Sequence, residues 1–346
     1  MSLESQIISA LKTLNEPFAD QDILTTRMLQ GLKISESGHV SCILEVNTQY
    51  MNEGLKLKKK VETLVMEIPG VKHINVALTA EKKAPPPRAL KRKIPGVKHV
   101  IVVASGKGGV GKSTTAVNLA CALQTMDLKV GLLDGDIYGP SLPRLLGSHD
   151  AKPISHDGKT INPIEVYGLK CMSMGFMIAE KMPTIWRGPM VQNALQQMLH
   201  QVNWGELDVL LIDLPPGTGD VHLTLAQTLD LSGAIIVSTP QDLALLDARK
   251  ALEMFIKMEV LILGLVENMS FFVCPHCEKH SEIFDHGGVH REAVSRDLPL
   301  LASIPLHMSI RETSEQGRPI VIALPLSEQA QAYHQLAQKI SGQFIF

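Results

Sequence analysis

The chain has 346 residues, of which 45% are hydrophobic; it can bury a large core, and its length favours two domains. Its 33 Lys and Arg residues nearly balance 35 Asp and Glu residues, so no global field would draw it to nucleic acid or an anionic membrane. There is no apolar run of the roughly 18 residues that a membrane span needs. The first residues also lack the basic and then apolar segments of a signal peptide. We expect a cytoplasmic protein with reduced thiols, because five Cys is an odd number for a disulfide framework.

Residues 1–80 are predicted to form a small α/β domain. Helical periodicity of the apolar residues predicts two helices, and apolar-rich or alternating runs predict two strands. In chain order these elements are a helix at 3–14, a strand at 40–46, a helix at 57–68 and a strand at 74–78. Cys42 lies in the first strand, where a lone cysteine is typical of core packing. We find no catalytic constellation in this domain.

Residues 81–97 differ in composition and are predicted to be a linker. Pro85, Pro86 and Pro87 are consecutive, which is typical of a semi-rigid extended spacer, and the surrounding cations keep such a segment solvated. A basic stretch could also contact RNA or lipid, but a solvated linker is the simpler interpretation.

From residue 98 to residue 346, apolar runs alternate with stretches of helical periodicity. This predicts an α/β domain with a mostly parallel sheet covered by helices on both faces. The predicted strands are 100–104, 130–133, 209–212, 234–237, 260–266 and 300–304, and a terminal helix is predicted at 327–340. Ligands bind such sheets at the carboxyl ends of the strands, so the residues that follow these strands are candidates for a functional site.

The first of these strands leads into a P-loop, a glycine-rich loop that binds phosphate. Its residues are Gly106, Lys107, Gly108, Gly109, Val110, Gly111, Lys112 and Ser113. The glycines let backbone N–H groups converge on phosphate oxygens, and the helix that follows directs its positive dipole end at them. We expect Lys112 to reach the β- and γ-phosphates of ATP, Ser113 to bind Mg²⁺ and Thr114 to contact the α-phosphate.

Two further strand ends carry aspartates. Asp213 follows the apolar run 209–212 as in a Walker-B strand, so we expect it to hold Mg²⁺, directly or through water. The proline- and glycine-rich turn after it predicts a switch loop that a γ-phosphate would move. Asp136 follows the strand 130–133 and is expected to orient the attacking water, while Asp134 is expected to support Mg²⁺ or the loop. Taken alone, each aspartate would equally suit a helix cap or a turn.

Lys107 makes this P-loop unusual, because two lysines in one phosphate loop are costly unless both meet phosphate. A first lysine of this kind can act as a transition-state cation, as an arginine finger does, possibly on a partner's nucleotide. Here the sequence resembles the deviant Walker-A family that includes MinD, ParA and the nitrogenase iron protein, in which this loop accompanies ATP-dependent dimers. The resemblance implies that Lys107 works in trans within a homodimer.

Six ordered motifs resemble the Mrp, or ApbC, family of iron–sulfur cluster carriers, and the resemblance covers essentially the whole chain. They lie at 101–113, 135–141, 186–189, 213–220, 267–270 and 274–277. A small N-terminal domain before a linker also fits this family. Gly135 occupies a position where Ala is common in this family, and this difference affects no residue with an expected chemical role. The family pattern implies that Asn268 reads the adenine edge of ATP, although this residue would equally suit a turn.

Cys274 and Cys277 form a Cys-Pro-His-Cys pair that can ligate a metal centre, form a redox disulfide or simply pack. A redox disulfide usually belongs to a thioredoxin-like unit, which a P-loop domain is not. Zinc stays open on the residues alone, because Zn²⁺ accepts Cys₂His₂ sets and four histidines lie nearby. These are His276, His280, His286 and His290. Iron–sulfur clusters commonly take four thiolates, so a cluster would need a second chain; the family resemblance implies this cluster.

The sequence therefore predicts an ATP-hydrolysing homodimer that carries an iron–sulfur cluster, expected to be [4Fe–4S], and transfers it to apoprotein clients. Cys42, Cys121 and Cys171 stand singly in apolar segments and are not expected to be ligands. Two other functions stay open. One is a ParA- or MinD-like switch that dimerises with ATP on DNA or membrane, and the other is a nucleotide-dependent regulator with a structural zinc site.

Overall fold

The computed structural model describes residues 2–15, 22–26, 28–35, 37–47, 51–81, 91–155, 157–178, 188–274, 276–277 and 279–344. The chain divides into two compact units, Met1–Arg88 and Ala89–Phe346. Most of the predicted linker, residues 82–90, lies outside the described residues. Its last part already pairs with the larger unit, because the Arg92 N–H donates to the Thr228 carbonyl at 2.7 Å and Ile94 is buried in the core.

The smaller unit is a three-stranded sheet packed against two helices. Its elements are α1 (Leu3–Leu11), β1 (Leu29–Ile34), β2 (His39–Asn47), α2 (Met51–Met66) and β3 (His73–Glu81). The central strand β2 pairs antiparallel with β1 and parallel with β3. Cys42 is buried in the core of this unit, as its packing interpretation predicted. The sequence did not predict β1, because Gly31 has a φ of 63° within a bulge that interrupts the strand pattern.

The larger unit contains a sheet of nine strands within the described residues. Its elements are β4 (Val97–Ala104), α3 (Lys112–Gln124), β5 (Val130–Asp134), α4 (Leu142–Leu145), β6 (Ile164–Val166), β7 (Leu169–Met172), α5 (Gly188–His200), β8 (Leu207–Asp213), α6 (Asp220–Thr228), β9 (Gly233–Ser238), α7 (Asp242–Lys257), β10 (Ile262–Val273), β11 (His280–Ser281), α8 (Gly288–Ser295), β12 (Leu300–Leu306), α9 (Met308–Glu315), α10 (Ile320–Ala323) and α11 (Glu328–Ser341). Among the helices described, none is long and apolar enough to cross a membrane.

The strand order is β12–β10–β9–β4–β8–β5–β7–β6, and the short β11 pairs with the end of β10. All pairings are parallel except β6 with β7 and β10 with β11. In β4, Val100 and Val102 face one core while Ile101 and Val103 face the other, which explains its unbroken apolar run. Side chains of α5 to α8 contribute to the first core, and those of α3, α10 and α11 to the second. The predicted fold class is confirmed.

Each of the six strands predicted in this unit is present, but one is much longer than predicted. The prediction ended it at Val266, because polar Glu267 and Asn268 break the apolar pattern there. The observed β10 continues to Val273 because both polar side chains are buried and hydrogen-bonded. The β6–β7 hairpin was also not predicted. Its strands are short, and its turn has positive φ at Tyr167 and Gly168.

Helices α7 and α8 are joined by an ionic network around Glu292, whose side chain is 5% exposed. The Glu292 carboxylate accepts hydrogen bonds from Arg249 Nε at 2.7 Å and Arg296 Nε at 2.6 Å, and Arg296 also donates to Glu253 at 2.6 Å. Burial raises the pKa of Glu292, but the two guanidinium groups outweigh this effect, so its pKa lies below the ordinary value. The network therefore contributes to stability when Glu292 is ionised.

We expect Glu292→Gln to lower the free energy of unfolding by about 1 to 2 kcal/mol at neutral pH, because two charge-assisted hydrogen bonds are lost while the arginines stay partly hydrated. Because the native pKa is lowered, this contribution is present above the pKa of an unfolded glutamate and is lost as pH falls through the native pKa. Urea unfolding at neutral and acid pH measures it. Glu253→Gln is the matched control on the same arginine, and equal losses in both variants would contradict the assignment.

Candidate functional site

The loop of residues 106–111 connects β4 to α3 and depends on glycine at two positions. A Cβ on Gly106 would lie 2.0 Å from the backbone of Asp247 in α7, so α7 packs too closely for any side chain. Gly111 has a φ of 79° and caps the start of α3 in the left-handed region. The first helical residue is Lys112, so the free N–H groups of α3 face this loop.

Lys112 and Asp213 form a buried ion pair at the carboxyl edge of the sheet. The Lys112 ammonium donates to Asp213 Oδ1 and, at 3.2 Å, to the Ser113 hydroxyl. Burial raises the pKa of Asp213, and the adjacent ammonium acts against this rise. The two predicted Mg²⁺ ligands, Ser113 and Asp213, thus both contact the Lys112 ammonium. Their oxygens form a donor set of the kind that Mg²⁺ prefers.

Asp134 holds the loop that carries Asp136. Its carboxylate accepts hydrogen bonds from the Asp136 N–H at 3.1 Å, from two backbone N–H groups at the start of α4, and from the Ser173 hydroxyl at 3.1 Å. Burial, followed by the charge of Asp213, raises the pKa of Asp134 to about 7. All these donors belong to the protein, so Asp134 supports the loop.

Asp136 lines a cavity of about 540 Å³ together with the loop that follows Asp213. The predicted switch loop, residues 215–219, lies against the P-loop strand. The Leu214 N–H donates to the Val103 carbonyl and the Gly217 N–H to the Ser105 carbonyl, both at 3.0 Å. The cavity therefore separates Asp136 from the segment that the sequence predicts to respond to a γ-phosphate.

Lys107 has a partly exposed side chain, and no carboxylate of the described residues pairs with it. Its carbonyl accepts a hydrogen bond from the Ser105 hydroxyl at 2.9 Å, which fixes the backbone of the loop. Helix α7, whose backbone at Asp247 packs against Gly106 of the loop, also carries Leu243 and Leu246, which are 71% and 50% exposed. The helix next to the P-loop thus has two exposed leucines.

A second cavity, of about 340 Å³, opens beside Gly111 and Thr114. Its other walls include Asn268, Pro305, His307, Arg311 and Tyr333. The Asn268 amide donates to the Val110 carbonyl at 2.8 Å, so the group expected to read adenine contacts the P-loop here. A cavity next to the first turn of α3 suits the nucleoside part of a nucleotide whose phosphates lie on the P-loop.

Sequence reasoning missed most of the walls of this second cavity. The carboxyl end of the predicted strand 300–304 was a signal for Pro305 and His307, since ligands bind at such ends. Arg311 and Tyr333 come from α9 and α11, far along the chain, and no local pattern marks them.

Cys274 and Cys277 lie in the turn between β10 and β11, where Cys274 is partly exposed and Cys277 is exposed. The Cys274 N–H donates to the Lys279 carbonyl at 3.0 Å and closes the turn. Hydrogen bonds to the Cys274 sulfur from the backbone N–H groups of His276 and Cys277, and from the Cys277 thiol, lower the pKa of Cys274. This turn therefore favours a thiolate at the surface.

Two of the histidines near this turn have other neighbours. His280 stacks on Phe271 with ring centroids 5.1 Å apart, and His286 lies 3.6 Å from Glu282. Within the part of the chain that the structure describes, no group of three or more His, Cys, Asp or Glu side chains could hold a metal ion. The other cysteines, Cys121 and Cys171, are buried.

The comparisons with known proteins identify the family. Residues 96–341 match the family model of ParA, described as the NUBPL iron-transfer P-loop NTPase. The chain belongs to this family. The iron-sulfur cluster carrier protein of Haemophilus influenzae is 42% identical over 98% of this chain and 91% of its own length. The iron-sulfur protein required for NADH dehydrogenase of Arabidopsis thaliana is 54% identical over 69% of this chain and 77% of its own length.

Solved structures agree with this assignment to the NUBPL iron-transfer P-loop NTPases. A nucleotide-binding protein from Archaeoglobus fulgidus, in complex with ADP, is 37% identical with a TM-score of 0.58 and covers 65% of this chain and 88% of its own. The cell division ATPase MinD of Pyrococcus furiosus is 25% identical with a TM-score of 0.52, covering 71% of this chain and 99% of its own. The predicted family resemblance is confirmed. Trp186 and Arg187, from one of its motifs, lie outside the described residues.

The thiol environments predict a clear order of alkylation by iodoacetamide. We expect Cys274 to react at a lower pH than an ordinary free thiol, because its pKa is lowered and the thiolate is the nucleophile. Cys42 and Cys121 should stay unmodified near neutral pH, since burial raises their pKa values to about 11 and about 12. Peptide mass spectrometry measures each rate, with the unfolded chain as control. Faster modification of Cys42 than of Cys274 in the folded chain would contradict this order.

Proposed function

We propose that this protein is an ATP-hydrolysing carrier that binds an iron–sulfur cluster between two copies of the chain and transfers it to apoproteins. The observation that carries the proposal is the Cys274–Cys277 turn, which offers two surface thiols, one with a lowered pKa, and no third ligand among the described residues. A four-iron cluster commonly takes four thiolates, so each chain supplies half of a site. Relatives that cover nearly the whole chain are named iron–sulfur cluster carriers, which supports this cargo.

The other two functions have less support. A structural zinc site needs a closed set of about four ligands, and the described residues contain no group of three or more side chains that could hold a metal ion. A positioning switch of the ParA or MinD type would leave the Cys274–Cys277 turn without a role. The description of the matching family model names iron transfer, which favours the function of a cluster carrier.

In the nucleotide reaction, we assign Lys112 to the β- and γ-phosphates and Asp136 to the attacking water. Ser113 and Asp213 would hold Mg²⁺, which neutralises phosphate charge when bound. Binding of ATP would replace Asp213 by phosphate as the partner of Lys112 and leave the carboxylate to the metal.

The second copy would complete both sites. Lys107 has no partner among the described carboxylates and is free to reach the nucleotide of the other chain. The exposed Leu243 and Leu246 supply apolar surface on the helix next to the P-loop. A cluster shared by two chains requires that the Cys274–Cys277 turn also lies at the two-fold axis, because a symmetric interface uses the same surface on both chains. A cytoplasmic location stays a prediction.

Single substitutions separate binding from turnover. Lys112→Ala should abolish tight ATP binding, because it removes the ammonium group that binds the phosphates. Lys107→Ala and Asp136→Ala should lower kcat by about tenfold or more with little change in ATP affinity, since their proposed roles belong to the transition state. Titration calorimetry and phosphate release measure the two effects. Thermal unfolding is measured in parallel, because Lys112→Ala also breaks a buried ion pair. Unchanged hydrolysis in all three variants would exclude these assignments.

Anaerobic reconstitution with iron and sulfide tests the cargo. We expect about four irons per dimer, by one thiolate for each iron, and a dimeric mass for the loaded protein. Cys274→Ser and Cys277→Ser should lose the cluster, while Cys42→Ala and Cys171→Ala, which remove buried thiols elsewhere in the chain, should retain it. Four irons on a separated monomer, or one tightly held zinc per chain without a cluster, would overturn the proposal.

A further inference from the structure

His222 is a buried histidine that belongs neither to the P-loop nor to the Cys274–Cys277 turn. It lies in the first turn of α6, directly after the switch loop, and is 1% exposed. Neither ring nitrogen makes a hydrogen bond to any group in the described part of the chain. An unpaired buried polar group costs free energy, and such groups are rare in folded proteins. His222 therefore needs a physical explanation.

The described neighbours of the His222 ring include an aromatic ring and both ends of the switch loop. Phe255 of α7 packs near the ring, with centroids 6.4 Å apart. The carbonyl groups of Pro215 and Gly219, the first and last residues of the loop, also lie near the ring. The ring lines the cavity that it shares with Asp136. His222 thus sits between the two ends of the loop that follows Asp213.

The charge state of His222 limits what it can do there. Burial lowers the pKa of His222 to about 4, the charge of Lys112 acts in the same direction, and the two carbonyls act against them. The ring is therefore neutral at neutral pH. A neutral imidazole has one N–H donor, so it can donate to only one of two carbonyl acceptors at a time. One of the two carbonyls at the ends of the loop is therefore always without this donor.

We propose that His222 is a positioning residue for ATP hydrolysis, which donates its single N–H to one carbonyl of residues 215–219 and so fixes the switch loop beside the γ-phosphate. The proposal rests on the proposed ATPase function. In the structure described here neither ring nitrogen has a hydrogen-bond partner, although the carbonyls of Pro215 and Gly219 lie near the ring, so a small movement of the loop can create the hydrogen bond. The bond then favours the loop position that places Asp213 and Asp136 on either side of the reacting phosphate.

A purely structural role predicts a different outcome. If His222 only fills space, an apolar side chain of similar size should leave the switch loop and turnover unchanged. If His222 positions the loop, the same substitution should preserve the fold and slow turnover. Removing an unpaired buried imidazole should not lower the melting temperature, so stability and activity move apart.

The test compares His222→Leu, which removes the donor, with His222→Gln, which keeps an N–H donor on a side chain of similar length. For His222→Leu we expect an unchanged or higher Tm, ATP affinity within about twofold of the parent, and a kcat lower by about tenfold or more. His222→Gln should recover most of the turnover. A parental kcat in His222→Leu, or equally slow turnover in both folded variants, would overturn the proposal.

A measurement on the unsubstituted chain decides the matter if His222→Leu fails to fold. The ¹⁵N resonances of labelled His222 report the tautomer and the hydrogen bonding of each ring nitrogen. They should shift between the free protein and its complex with Mg²⁺ and a non-hydrolysable ATP analogue. Identical resonances in the two states would overturn the proposal. If the chain binds ATP but never hydrolyses it, the proposed ATPase function fails, and the resonances still show whether the loop contact forms.

Discussion

The buried ion pair between Lys112 and Asp213 depends on the order and register of three strands. Parallel pairing sets Val103 of β4 opposite Asp213 of β8, and Asp213 opposite Asp134 of β5. The P-loop leaves the sheet directly after β4, so its lysine reaches back to the aspartate at the end of the neighbouring strand. Removing two charges from water costs several kcal/mol for each ion, so neither would be stable here without the other. The carboxyl edge of the sheet thus holds a buried pair of opposite charges before any ligand binds.

This arrangement also explains the different roles of neighbouring aspartates. Asp134 and Asp213 are adjacent across the sheet, and their mutual repulsion adds to burial in raising the pKa of Asp134. Asp134 receives hydrogen bonds from the loop that follows it and from Ser173, whereas Asp213 pairs with the Lys112 ammonium. One carboxylate is therefore committed to the structure, and the other can exchange its partner.

Local sequence patterns predicted the parts of the fold that are stabilised by residues close together in the chain. The apolar runs of the buried parallel strands, and the spacing of glycines and Lys112 before a helix, have causes within about ten residues. The extension of β10 was not predictable in this way, because Glu267 and Asn268 are stabilised by Val289 and Val110, which lie elsewhere in the chain. The same holds for Tyr333 in the second cavity and for His222 beneath the switch loop. Their environments exist only once distant segments have packed, so a pattern in the chain cannot show them.

The length of β10 has a mechanical consequence. Asn268 contacts the P-loop, and Cys274 follows the same strand six residues later, a span of about 20 Å for extended chain. Between them, Met269 has a φ of 56° and the pairing with β12 shifts register, so the strand carries a bend at one defined point. A change in backbone direction at that bend would displace the far end of the strand, which Cys274 directly follows. In the proposed dimer, the direction in which each Cys274–Cys277 pair faces would therefore depend on the backbone conformation at Met269.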